Sequence, residues 1–232
     1  MSKCVAIIPA RGGSKRILNK NIKNFFGKPI ISYSIENAKN SNLFNRIIVS
    51  TDSLEIKKIA EACGAEVPFI RPEHLSDDHA TTNSVIEHCL DWLKEQGGVY
   101  DYCCTIYATA PLLKTQYLIN GFDKLVNSDA KNSFSATEMP FPIQRCFKIV
   151  QEDRCQMFSP ENYKTRSQDL ETAYQDAGQF YWTNLNKKVY NEIMFSEISI
   201  PIILPRHLVQ DIDTLNDWKM AELMYKISRE ET

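Results

Sequence analysis

The chain has 232 residues, 43% of them apolar and 24% charged, with a net charge of -2 and a pI near 6.1. That balance excludes a disordered chain, suits one globular domain with a small insertion, and provides no global basic field for nucleic acid. No run approaches the roughly 18 apolar residues of a membrane span, and the five apolar residues before Pro9 are too few for a signal peptide, so a cytoplasmic location is expected.

Cys4 to Ile8 is short, continuous and rich in β-branched residues, the pattern of a fully buried strand. A glycine-rich loop follows, and from Pro29 the apolar residues Ile30, Ile31, Tyr33, Ile35 and Ala38 recur at helical spacing. "RIIVSTDS" (46–53) predicts a second strand, Leu54 to Cys63 a helix closed by Gly64, and Val67 to Ile70 a third short strand. Asn83 to Gln96 reads as a helix ended by Gly97 and Gly98, "YDYCCTIYATAPL" (100–112) as a fourth strand, and Gln116 to Asn127 as another helix.

Alternation of this kind predicts an α/β fold with a mostly parallel central sheet and right-handed crossovers. Ligands in such sheets sit beyond the carboxyl ends of the strands. "ARGGSKR", "STDS", "RPEHLSDD" and "ATAPL" should therefore rim one crevice. From Phe134 to Val150 the pattern turns strand-like but broken by Pro140 and Pro142, and 151–175 is polar and weakly periodic. An arm or small subdomain at about 134–178 is expected. "GQFYWTN" (178–184) and Ser199 to Leu204 predict two further strands, and "DIDTLNDW" opens a closing amphipathic helix. The seven cysteines have no CxxC pair and read as reduced core residues, while His74, His79, His88 and His207 lack zinc-ligand spacing.

The loop after the first strand holds Arg11, Lys15, Arg16 and Lys20 beside Gly12 and Gly13. Glycines let the backbone approach a ligand, and guanidinium and ammonium groups supply donors to phosphate oxygens, so a polyphosphate fits. The order is neither GxxxxGK[ST] nor GxGxxG, which excludes a P-loop and a dinucleotide fingerprint.

"IIPARGGSKRILNKNI", then "GKPIISYSI", "VSTDS", "RPEHLSDD", "TAPL" and "DIDT", closely resembles the bacterial cytidylyltransferases that activate sialic-acid-like nine-carbon sugars as their cytidine monophosphate derivatives. The resemblance runs from the first strand to the last helix. It implies a Rossmann-like nucleotidyltransferase fold, CTP, Mg2+ and a homodimer in which an arm crosses to the neighbouring site. It sets Arg11, Gly12, Gly13, Ser14, Lys15, Lys20 and Asn21 around the triphosphate, Arg71 near the base and Thr109 in the nucleotide site. It also makes Asp211 and Asp213 the metal pair. Alternating residues on an extended segment share a side, and Mg2+ favours carboxylates with phosphate oxygens. Asp213 could instead cap the helix that follows. Arg11 and Lys20 would stabilise charge on the transferring phosphoryl group. Asp211, or a metal-bound water beside it, would take the sugar proton.

A nonulosonic acid carries a carboxylate beside its anomeric hydroxyl, so its pocket needs a cation. The resemblance offers Arg166 and, from the arm, Arg145, with Asp176, Gln179 and Tyr181 completing the sugar site. Two departures are informative: "YATAP" replaces a glutamine-proline lead, and "DAGQFYW" replaces "NGAxY". Both look most like the branch that activates pseudaminic acid for flagellar decoration. Its sialate and legionaminate counterparts are the near alternatives, a 3-deoxy-manno-octulosonate enzyme a more distant one, and a non-catalytic nucleotide-binding subunit the alternative from another class.

Overall fold

The unbroken apolar run of the first strand decides how the layers form. In β1 (Cys4–Pro9), Cys4, Ala6 and Ile8 face one side of a sheet and Val5 and Ile7 the other, and all five are at most 1% exposed. The computed structural model describes residues 2–77, 79–187 and 193–230; Asp78, which ends the "RPEHLSDD" motif, lies outside them. A two-stranded ribbon follows β1, made of β2 (Asn24–Phe25) and β3 (Lys28–Pro29), and leads into α1 (Ile31–Ser41). Next come β4 (Arg46–Ser50), α2 (Leu54–Ala62), α3 (Thr82–Glu95), β5 (Tyr102–Ile106) and α4 (Thr115–Val126).

The six-stranded sheet is completed by β6 (Asn132–Glu138), β9 (Tyr174–Asn184) and β10 (Ser199–Leu204), in the order β10-β6-β9-β5-β1-β4. β9 runs antiparallel to both neighbours, while β4, β1 and β5 are mutually parallel, as are β6 and β10. One face carries α1, α2 and α4 over a core that includes Ile31, Ile56, Leu118 and the fully buried Phe180 and Trp182. The other face carries α3, whose Cys89 and Leu93 pack on Val5, Ile7 and Ile48. Each such buried aliphatic side chain stabilises the fold by about 1.5–3 kcal/mol.

Three expectations change. The strand predicted at 67–70 shrinks to a single parallel bridge between Ile48 and Glu66, because Pro68 has no N–H to continue the ladder. Strand β6 starts two residues before Phe134 and lies inside the sheet, so the excursion spans 139–173. Within it, β7 (Phe147–Ile149) and β8 (Cys155–Met157) form a separate hairpin. Cys146 and Cys155 sit exposed on this arm rather than in the core, whereas Cys4, Cys89, Cys103 and Cys104 are buried and all seven are free thiols. The closing helix is α5 (Leu215–Glu230), and among the described residues no helix is long and apolar enough to cross a membrane.

Candidate active site

A second apolar cluster joins the two ends of the chain and builds the site. Ile17 of the loop after β1, Phe25, Ile30 and Tyr33 pack with Ile212, Trp218 and Ala221. Ile212 is fully buried there, so Asp211 and Asp213 on either side of it turn away from the cluster. The two charged segments therefore meet because their apolar residues share one core. Helix α5 caps itself: Thr214 N–H donates to Asp217 Oδ2 at 2.7 Å, and Asp217 N–H donates to Thr214 Oγ1 at 3.3 Å. Asp213 is thereby released from the capping role open to it in sequence.

The loop itself is tightly braced. Gly12 N–H donates to Asp52 Oδ1 at 2.8 Å, and a Cβ on Gly12 would lie 3.0 Å from Ser53 Cβ. Close approach, not a left-handed turn, makes this position glycine; Gly13 has open space around it. Ser14 N–H donates to the Gly12 carbonyl at 3.0 Å. Asn21 donates from Nδ2 to the Arg11 carbonyl at 2.9 Å, closing the base of the loop. Lys20 Nζ donates to the Ile212 carbonyl at 2.7 Å and lies 3.3 Å from Asp213 Oδ1, while Arg16 is 3.0 Å from Asp213 Oδ2. Arg11 donates to the Asp77 carbonyl at 2.9 Å.

These groups enclose a cavity of about 300 Å3 at the carboxyl ends of the parallel strands, lined by Arg11, Ser14, Lys15, Lys20, Asn21, Arg71 and Asp213 among others. Arg71 is only 5% exposed, and burial pulls its guanidinium below the usual arginine value while Asp52 opposes that. The crevice thus gathers "ARGGSKR", "RPEHLS" and "DIDT", with "STDS" bracing them from behind. Thr109, in the turn after β5, lines neither this cavity nor the two beside it.

A second cavity, about 390 Å3, runs between α3 and β9, and a third, about 430 Å3, opens at Asp211. Tyr107, Asp176 and Tyr181 line both, and Thr82 is shared by the first and second. Tyr181 donates its hydroxyl to Asp176 Oδ2 at 2.5 Å, and Asp176 Oδ1 accepts Gly178 N–H at 3.0 Å. Burial, then Asp176, raises the Tyr181 phenol far above its usual value. Asp211 is raised above the ordinary carboxylate value, first by the protein around it and next by the charge of Asp213.

Other sequence-derived residues lie elsewhere. Gln179 is 3% exposed and donates from Nε2 to the Leu208 carbonyl at 2.5 Å, so it ties β9 to the segment leading into Asp211 and lines none of the three cavities. Arg145 donates to the Thr165 carbonyl, and Arg166 makes a two-point pair with Asp169 at 2.7 and 3.2 Å; both remain on the exposed arm. Sequence reasoning gave no individual role to Arg16, Tyr107 or Asp52. Arg16 was visible as part of the cation cluster, but its contact with Asp213 depends on the fold.

Comparison with known proteins identifies the family. The family described as Cytidylyltransferase matches residues 5–213. The chain belongs to the cytidylyltransferase family. This cytidylyltransferase is 45% identical over 228 residues to the pseudaminic acid cytidylyltransferase of Campylobacter jejuni, covering 98% of each chain. It is 29% identical to the CMP-N,N'-diacetyllegionaminic acid synthase of Legionella pneumophila, covering 98% of each. In fold it resembles a CMP:2-keto-3-deoxy-manno-octonic acid synthetase complexed with CTP, with a TM-score of 0.67, 14% identity, and coverage of 99% and 100% of the two chains.

Proposed function

We propose that this enzyme transfers the cytidylyl group of CTP to pseudaminic acid, giving CMP-pseudaminic acid and pyrophosphate, for modification of flagellin or surface glycans. The observation that carries the reading is the junction at Asp213: a cavity rich in cations meets the paired carboxylates there, and Asp211 opens onto an adjoining cavity. The kinship with the Campylobacter jejuni protein supports pseudaminic acid over the other nonulosonic acids.

In this reaction the anomeric oxygen bonds to the α-phosphorus, the bond from that phosphorus to the bridging oxygen breaks, and pyrophosphate leaves. Arg11, Lys15 and Lys20 neutralise the triphosphate and the charge growing on the departing group. Asn21 and the Gly12–Asp52 bond hold the loop for that task. Asp211 lines the third cavity and accepts the proton of the anomeric hydroxyl there. Tyr107, Asp176 and Tyr181 orient the sugar between the two outer cavities.

The donor set fits Mg2+. Asp211 and Asp213 supply hard oxygens, and among the described residues no group of three or more His, Cys, Asp or Glu competes for a metal. Asp211 and Asp213 would hold the ion, which supplies positive charge against the phosphate oxygens when bound. The arm supports a homodimer, since Phe141, Ile143, Phe147, Ile149 and Phe158 are exposed on it. A cytoplasmic location agrees with the supply of CTP.

The test is pyrophosphate release with CTP and Mg2+ against pseudaminic, legionaminic, N-acetylneuraminic and 3-deoxy-manno-octulosonic acids. Turnover confined to pseudaminic acid is the expected result. Preference for another acid would displace the sugar assignment, and CTP binding without turnover of any acid would favour a non-catalytic nucleotide-binding subunit.

A further inference from the structure

Asp52 stands outside the walls of the first cavity yet touches both sides of it. Its Oδ1 accepts Gly12 N–H at 2.8 Å and lies 3.8 Å from Nη2 of Arg71. The Arg71 side chain is 3% exposed against 28% for Asp52, so the guanidinium is the desolvated partner. Its Nε donates to Ser76 Oγ at 3.2 Å, which supplies an acceptor but no charge. Coulomb repulsion from Arg11 acts with burial against the charged guanidinium, and Asp52 is the leading opposite influence.

The backbone sets Asp52 at this junction. Ala10 N–H donates to the Ser50 carbonyl at 2.9 Å and Arg71 N–H to the Thr51 carbonyl at 2.8 Å, so residues 50–52 run between the basic loop and the "RPEHLS" segment. Ser53 fixes the far side by accepting Ile56 N–H at 3.3 Å as the cap of α2.

We infer that Asp52 is a positioning residue for nucleotide binding, with one carboxylate setting both the height of the phosphate-gripping loop and the aim of the Arg71 guanidinium. The two sides of the cavity then grip one nucleotide at a fixed separation, which lowers the ordering cost of binding. This inference rests on the first cavity being the CTP site.

The experiment compares wild type, Asp52→Ala, Asp52→Asn, Arg71→Ala and the Asp52→Asn/Arg71→Ala double variant by steady-state pyrophosphate release, CTP calorimetry and thermal melting. Asp52→Ala is expected to raise KM for CTP about tenfold, the scale of one lost charge-assisted hydrogen bond, while KM for the sugar acid stays within about twofold. Asp52→Asn keeps an acceptor for Gly12 and loses the charge, so its smaller defect should vanish once Arg71 is already alanine.

An unchanged KM for CTP in Asp52→Ala would overturn the inference. So would an Asp52→Asn defect of equal size in both backgrounds, or equal losses for both substrates accompanied by a lowered melting midpoint. Failure of the wild type to bind CTP would overturn the site reading as well, and calorimetry on the wild type alone separates that outcome from the others.

Discussion

Replacing Lys20 with methionine keeps the aliphatic stem and removes the ammonium that joins the loop to the carboxylate segment. Structurally, the substitution deletes a 2.7 Å bond to the Ile212 carbonyl and a 3.3 Å approach to Asp213. The Asp213 partner is 40% exposed, so solvent screening limits the ion pair to about 1 kcal/mol or less. With about 1 kcal/mol for the carbonyl bond, the loss of stability should be about 1–2 kcal/mol. That corresponds to a fall of about 3–6 °C in melting midpoint for a chain of this size. Catalysis should suffer more, because a positioned charge at the reacting phosphate is worth about 10^2–10^3 in rate, or about 3–4 kcal/mol. Pyrophosphate release and calorimetric melting measure the two effects separately. A folded Lys20→Met enzyme with kcat/KM within about threefold of wild type would refute the reasoning, since that is under about 1 kcal/mol of transition-state energy.

Gly121→Ala would put a Cβ 2.9 Å from Phe180 and 3.1 Å from Trp182, both rings fully buried. Overpacking should outweigh the gain in helix propensity and lower the melting midpoint by about 2–4 °C, whereas a raised midpoint would show that the rings yield freely. Asp101 is held below its ordinary value of 3.8, chiefly by the Lys3 N–H at 2.8 Å and then by Asn186 at 3.2 Å. A group depressed in the folded state stabilises the fold above its unfolded value and loses that effect as pH falls through the folded value. The melting difference between wild type and Asp101→Asn should thus be present at about pH 7 and shrink below about pH 4; a difference that does not change with pH would contradict this. The proposed homodimer predicts a dimeric wild type and a monomeric Phe147→Asp/Ile149→Asp variant by light scattering; a monomeric wild type would refute the dimer, and a variant that remains dimeric would remove the arm from the interface.

Much of the fold was legible because its signals are local. Buried parallel strands read as unbroken apolar runs, and amphipathic helices as apolar residues at helical spacing; β1, α1, α2, α3 and α4 follow from those patterns. Val67 to Ile70 has the right composition for a strand, but Pro68 and the loop toward Arg71 stop the pairing after Glu66. In sequence Phe134 groups with the prolines beyond it, although the strand that holds it pairs on both sides inside the sheet and the break comes only after Glu138. Pairing of this kind depends on neighbours that lie far away in sequence.

The candidate site divides along the same line. By itself the sequence determined that a cation-rich glycine loop follows the first buried strand and that two carboxylates alternate near the last helix, because residue type and spacing are local properties. Tertiary structure alone decided that Ile17 and Ile212 share one apolar cluster, which brings Lys20 against Asp213, and that Asp52 sits between Gly12 and Arg71. It also sent Gln179 into a brace to Leu208 and left Arg145 and Arg166 on the arm. A side chain's partner is chosen by the packing of distant apolar residues and by the geometry of the backbone beneath it, and a linear pattern carries neither.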